Sequence, residues 1–283
     1  MKRAKLLKDS STGVRHYLLT MTKPLSLRKA SALDQDLNDF SRSITTVGVY
    51  DRRVFLEIER SATDLQGPGR DVVGGSLGRA ILYSAAGKVE DAEKMFRNAE
   101  LNHGIAPARI SRMSHLVNHG FASEAMALAD AAFADRGQAN FVDVAEIVFA
   151  CGGFHKIVQK VDASIANKEV LKMNDLLDLS KSAVVVLDQL GVSDAQLAAM
   201  LDLAGAQLRD HKLWWQGDRP HISVLATGKG GPALMFDYRV HVTPDEAAKI
   251  SWALTDALVG HDLALPGVFI GFLGTKEPVR LAA

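Results

Sequence analysis

Five glycines recur through the middle of this 283-residue chain at nearly constant spacing: Gly87, Gly104, Gly120, Gly137 and Gly153, at intervals of 17, 16, 17 and 16 residues. Each interval holds one helix of about four turns. Glycine is the residue that best tolerates the left-handed backbone at a helix end. Two intervals make a period of 33, the length of a helix-turn-helix unit that stacks on copies of itself. The spacing predicts a solenoid of helix hairpins, an architecture that acts through its surface.

Composition narrows the setting. A hydrophobic content of 47% with eight prolines belongs to a folded chain. A single cysteine, Cys151, rules out an internal disulfide and any metal site built on several thiolates, and its place at a predicted helix end reads as a small buried apolar residue. No apolar run reaches the length of a membrane-spanning helix, and no secretory signal core is evident, so the expected location is cytoplasmic. No cofactor is implied.

Net charge is zero but unevenly spread. Residues 1–30 carry Lys2, Arg3, Lys5, Lys8, Arg15, Lys23, Arg28 and Lys29 against one acid, Asp9. A basic arm on an acidic body suits nucleic acid, an anionic surface or the body itself, and organelle transit peptides have a similar composition.

Three regions follow. Residues 1–75 comprise the basic leader and a helical segment over 31–62, in which Val54, Leu56 and Ile58 alternate and also fit a strand. The glycines and Pro68 between 63 and 75 predict a loop. Residues 76–180 form the solenoid. Its first unit places Ala80, Tyr83, Gly87, Ala92, Phe96 and Ala99 at hairpin spacing; its second aligns Met113, Leu116, Gly120, Ala125, Ala129 and Ala132. A third aligns Gly153 with Ile157, Val161 and Ile165. Residues 76–168 resemble the tetratricopeptide and pentatricopeptide repeat families, most closely over 87–96 and Gly104-Ile105-Ala106-Pro107. That resemblance implies helical hairpins and a bound peptide or nucleic acid. Residues 76–170 hold ten basic and eleven acidic side chains. A surface that tracks a phosphate backbone is distinctly basic, so this balance favours a protein partner, read by Arg79, Arg112 and His115 on the inner helices. His115 and His119, four apart, also fit one helix face toward a metal, but no third ligand has matching spacing, and no metal site is expected.

Residues 181–283 change period. Strands are expected at 183–187, 222–227, 233–242 and 268–273. Ser193 with Gln196, and Thr243-Pro244 with Glu246, mark two helix starts. The order β-α-β-β-α-β predicts a ferredoxin-like plait, an antiparallel sheet with two helices on one face, and an α+β chain overall. Alternation sends Leu234, Phe236, Tyr238, Val240 and Val242 under the helices, leaving Met235, Asp237, Arg239 and His241 on the open face. A hairpin turn centred near Gly231 sets His221 across from His241, with Ser223 and Thr227 beside them. His221-x-Ser223 and His241-x-Thr243 resemble the paired motifs of two-histidine phosphoesterases, which implies acid and base roles for His221 and His241. Ser223, Arg239 and His241 equally suit phosphate or nucleic acid. Phe236 and Tyr238 resemble the aromatic pair of an RNA-recognition motif, although alternation assigns them to the core. Trp214 and Trp215 fall in a loop and suit either an inter-region seal or a partner contact.

Three functions stay open: an adaptor holding a protein partner in the solenoid, a nucleic-acid binder using the leader and open sheet face, and a phosphoesterase-like enzyme.

Overall fold

The computed structural model describes residues 28–44, 46–67, 70–103, 105–134, 141–162, 174–213, 220–228 and 231–276. Lys2, Arg3, Lys5, Lys8 and Arg15 of the leader, Gly104, Gly137, Ile165 and the Trp214–Trp215 loop lie outside them. The described residues are mostly helical, with a small three-stranded sheet near the C-terminus, an α+β composition.

Four helix hairpins come first: α1 (Arg28–Ser43) with α2 (Arg52–Leu65), α3 (Val72–Ala85) with α4 (Val89–His103), α5 (Ile105–Asn118) with α6 (Ala122–Ala134), and α7 (Phe141–Ala150) with α8 (Phe154–Asp162). The strand alternative at 54–58 is not taken. Asp51 caps α2 by accepting Arg53 and Val54 N–H groups, and Phe55, Ile58, Ala62 and Leu65 are buried at helical spacing. The expected loop at 63–75 is shorter, because Asp71 caps α3 and draws Gly74 and Gly75 into it. The aligned repeat positions are core: Ala80, Ala92, Phe96 and Ala99 in one unit, Met113, Leu116, Ala125, Ala129 and Ala132 in the next, and Ile157 and Val161 in the third. Small residues bring the paired helices close while the aromatics fill the wider layers. Odd-numbered helices also touch in series, α1 with α3, α3 with α5 and α5 with α7, forming one row of the stack.

The turn glycines have a second task. Gly87, Gly120 and Gly152 adopt φ of +74°, +71° and +76°; the third stop falls one residue before the expected Gly153. A long helix, α10 (Asp194–Asp210), lies along these turns. Leu197 occupies the space a Cβ at Gly152 would need, and Gly205 meets Gly120 backbone to backbone. Beyond the helix, Leu213 bridges Thr46, the Lys212 carbonyl accepts Val47 N–H at 3.0 Å, and Val47 sits over Gly87. Leu197, Gly205 and Leu213 are eight residues apart, and within α10, from Leu197 to Gly205, that interval spans about 12 Å. That step carries α10 and its extension from one hairpin turn to the next.

Carboxylates follow the same interval. Asp194 accepts the His155 and Lys156 N–H groups at 3.2 and 3.0 Å, capping α8 from another element. Asp202 accepts Ser123 N–H at 3.1 Å in the first turn of α6. Each supplies negative charge to a helix N-terminus that lacks intrahelical acceptors. Arg209 completes the contact: its Nη1 donates to the His119 and Gly120 carbonyls at 2.6 and 2.9 Å, and its guanidinium lies 4.1 Å from the Phe121 ring centroid.

Between the hairpins and α10 runs α9 (Asn174–Leu190), and here the expected first strand is overturned. Ala183, Val186 and Leu187 are buried while Val185 is 56% exposed, so the apolar run 183–187 lines one face of a helix. The sheet then has three strands in the order β1 (His221–Gly228), β2 (Gly231–Val240), β3 (Val268–Gly274). β1 and β2 form an antiparallel hairpin, and α11 (Pro244–Gly260) carries the chain to β3, which pairs parallel with β2. Without the first strand, the antiparallel four-strand order of the expected plait is absent among the described residues. Both capping boxes, Ser193 with Gln196 and Thr243 with Glu246, form as expected. Leu234, Phe236, Tyr238 and Val240 are buried, continuous with the core of α5 to α10. The boundary expected at 180/181 lies inside α9.

Gly205→Ala should cost about 2–3 kcal/mol in urea unfolding, because its Cβ meets the Gly120 backbone, which cannot rotate away as a side chain can. Gly260→Ala, with open space around it, should change stability by less than about 1 kcal/mol.

Candidate functional site

Two places concentrate polar side chains named from the sequence, and the structure treats them differently. The helices α3 and α5 hold Arg79, Arg112 and His115. Arg112 on α5 donates from Nε and Nη2 to Glu93 and from Nη1 to Glu100, with its shortest contact 2.6 Å, clasping α4 to α5. Arg79 lies 3.7 Å from Glu59 of α2, whose carboxylate accepts the Tyr83 hydroxyl at 2.6 Å. These arginines are therefore matched by acids from neighbouring helices.

His115 is not at a surface. It is 2% exposed and packs between Phe96, tilted against it, and His119, edge-on to it, with ring centroids 5.3 and 4.8 Å away. Both imidazoles converge on Ser84 of α3: His115 Nδ1 is 2.8 Å from Ser84 Oγ, and His119 Nε2 is 3.1 Å from the Ser84 carbonyl oxygen. A carbonyl only accepts, so His119 Nε2 carries its proton. Placing the Ser84 hydroxyl proton toward His115 Nδ1 satisfies that bond with both rings neutral. Burial lowers both pKa values, to about 4 for His115, where Arg112 adds to the effect, and to about 3 for His119, where His115 does. The cluster joins α3 to α5 and has no exposed member.

The second place is the open face of the sheet, where register sets the neighbours. His221 lies opposite Asp237, Ser223 opposite Met235, Met235 beside Phe269 and Arg239 beside Leu273. The expected pairing of His221 with His241 does not occur. His221 pairs with Asp237 and Gly228 with Gly231, so His241 falls beyond the end of β2. Four residues of strand, about 13 Å, separate it from the position opposite His221. Ser223 Oγ is 3.5 Å from His221 Nε2, the outer limit of a hydrogen bond. Arg239 and His241 are exposed, and Leu225, Phe269 and Leu273 surround the polar groups with apolar ones. Phe236 and Tyr238 face the core.

Cys151 is fully buried, and burial pushes its thiol pKa up, which suits packing. Among the described residues, no group of three or more His, Cys, Asp and Glu side chains could hold a metal ion, and no single helix is long and apolar enough to cross a membrane. No protein-family model, curated protein or solved structure matches this chain.

The histidine pair predicts a pH dependence whose sign follows from its lowered pKa values. Unfolded imidazoles bind protons near pH 6.5, whereas the folded rings resist them until about pH 4 and 3. Their contribution is present above pH 6.5 and is lost as pH falls toward those values. Urea midpoints should fall between pH 7 and 4.5, by an amount worth about 2 kcal/mol per histidine. His119→Gln should flatten that slope.

Proposed function

We propose that this chain is an adaptor that holds a protein partner on its stack of helix hairpins. The observation that carries the reading is the charge pairing along α3 and α5: Arg112 is matched by Glu93 and Glu100, and Arg79 by Glu59. Cations neutralised by neighbouring carboxylates release few counterions from a phosphate backbone, the term that dominates nucleic-acid affinity. A stack braced along one edge by α10 offers a preformed surface, which lowers the entropy cost of binding. Val73 and Ser76 on α3 lie on the accessible part of that row and are the proposed contact points. A second reading rests on the exposure of Arg239 and His241, with the basic leader as the remaining cationic surface for nucleic acid.

A photocrosslinking residue at Val73, in the full chain expressed in cells, tests the first reading. The expected product is a discrete protein adduct lost on Val73→Glu, while affinity for a mixed single-stranded RNA and DNA pool stays weak across a salt series. Steeply salt-dependent binding of that pool, abolished by Arg239→Ala and without a protein adduct, would replace the adaptor with the nucleic-acid reading.

A further inference from the structure

α9 and α10 are consecutive helices whose axes turn by 100° at a three-residue elbow, Gly191-Val192-Ser193. Gly191 supplies the left-handed stop of α9 at φ +67°, Val192 is buried, and Ser193 opens α10. Each of these acts on one arm of the elbow. His155, in the first turn of α8, reaches both. Its Nδ1 lies 2.7 Å from Asp194 Oδ1, just past the elbow, and its Nε2 lies 3.0 Å from Asp188 Oδ1, three residues before Gly191. One imidazole therefore spans the bend.

An ionised carboxylate only accepts hydrogen bonds, and a neutral imidazole has a single N–H. The neutral ring satisfies one of the two aspartates and turns a lone pair toward the other; the imidazolium donates to both. The two bonds are unequal. The Asp194 side chain is 14% exposed, and its oxygens also hold the His155 and Lys156 N–H groups at the start of α8. The Asp188 side chain is 67% exposed. A neutral ring thus keeps its proton on Nδ1, toward Asp194, and gives up Asp188. Partial burial opposes the charge on the ring, but Asp194 and Asp188 outweigh it and raise its pKa. Other charges nearby are turned elsewhere or distant. Lys156 and Lys160 reach Asp130 of α6 at 2.6 and 3.1 Å, and Lys181 of α9 lies seven residues, about 10 Å, before Asp188. α7 and β2 meet α8 through Phe149 and Phe236 against Phe154.

We propose that His155 is a proton-operated latch on the α9–α10 elbow: the imidazolium ties Asp188 to Asp194, and loss of the Nε2 proton to water releases Asp188 and frees the last turn of α9 from α8. The ring is 35% exposed, so the proton exchanges with solvent directly. The released carboxylate turns into water, being mostly exposed already, whereas Asp194 stays as the cap of α8. Open space surrounds the position a Cβ would take at Gly191, so the bend is not packed on that side. The tie is complete below about pH 6.5 and is lost as pH rises through the raised value. The latch stands independently of the partner held by the hairpins.

Nitrogen NMR of the full-length chain with isotopically labelled histidine rings tests the proposal, together with exchange of amides 187–190 corrected for intrinsic base catalysis. In the wild type, His155 should titrate with a midpoint above about 6.5 and end as the Nδ1–H tautomer. Amides 187–190, the last turn of α9, should open at least about threefold more often once pH passes that midpoint. Asp188→Asn is a conservative change at an exposed position, and its amide can accept from the imidazolium or donate to the neutral ring. That variant should lower the midpoint and abolish the pH dependence of opening. The proposal is overturned by a wild-type midpoint at or below about 6.5, by a neutral ring with its proton on Nε2, or by opening of amides 187–190 that does not rise through the midpoint or rises equally in Asp188→Asn.

Discussion

The close approach of Gly120 to Gly205 is the contact on which the arrangement of the other elements depends. A hairpin stack is stabilised mostly by nearest neighbours and has no inherent tie between distant units. Here α10 supplies that tie by lying across the turns, and it reaches them because neither surface carries a Cβ at the crossing. Backbones brought that close bury polar groups, which must be satisfied. Arg209 does so by donating to the His119 and Gly120 carbonyls while its guanidinium lies on Phe121. Asp202 and Asp194 do the same for the N-termini of α6 and α8. Steric fit and polar satisfaction therefore recur together at one interval.

This brace has consequences beyond the helices it touches. From α10 the chain proceeds into β1, so the placement of the sheet against α8 and α9 follows from the seating of α10. Phe154 of α8 lies 6.2 Å from Phe236 of β2, within one continuous core. The hairpins and the sheet thus share one core. His155 adds a polar element at this junction, its Nδ1 2.7 Å from Asp194 of α10 and its Nε2 3.0 Å from Asp188 of α9. Partial burial acts to lower its pKa, but Asp194 and Asp188 outweigh it and hold the value above that of a free imidazole. The clamp contributes most below pH 6.5 and weakens as pH rises through the raised value, opposite in sign to the buried Ser84 cluster.

The helical part of the fold was legible because its signals are local: glycine stops, capping residues and apolar spacing each act within a few residues. Thr243-Pro244-Asp245-Glu246 and Ser193 with Gln196 are where they were expected for that reason. Residues 183–187 fit a strand by sequence because a short β-branched run has no period of its own, and only packing along one helical face decides it. The plait order depends on that strand. The site was less legible. His115 was assigned to the surface because periodicity places it near an inner face, yet Ser84 and Phe96, distant in sequence, enclose it. His221 and His241 were paired on a turn centre misplaced by about two residues, enough to separate them by about 13 Å. The interval of eight shared by Leu197, Gly205 and Leu213, and by Asp194 and Asp202, was visible in the chain, but its meaning required the stack against which it is measured.

Native-state hydrogen exchange across α10 tests the bracing role most directly. If α10 ties the hairpins together, the slowest amides of α6, α8 and α10 should exchange with one common opening free energy, and Gly205→Ala should lower all three together. Exchange of α6 and α8 that is unaffected while α10 alone opens would show that the hairpins stand without it, contradicting the account.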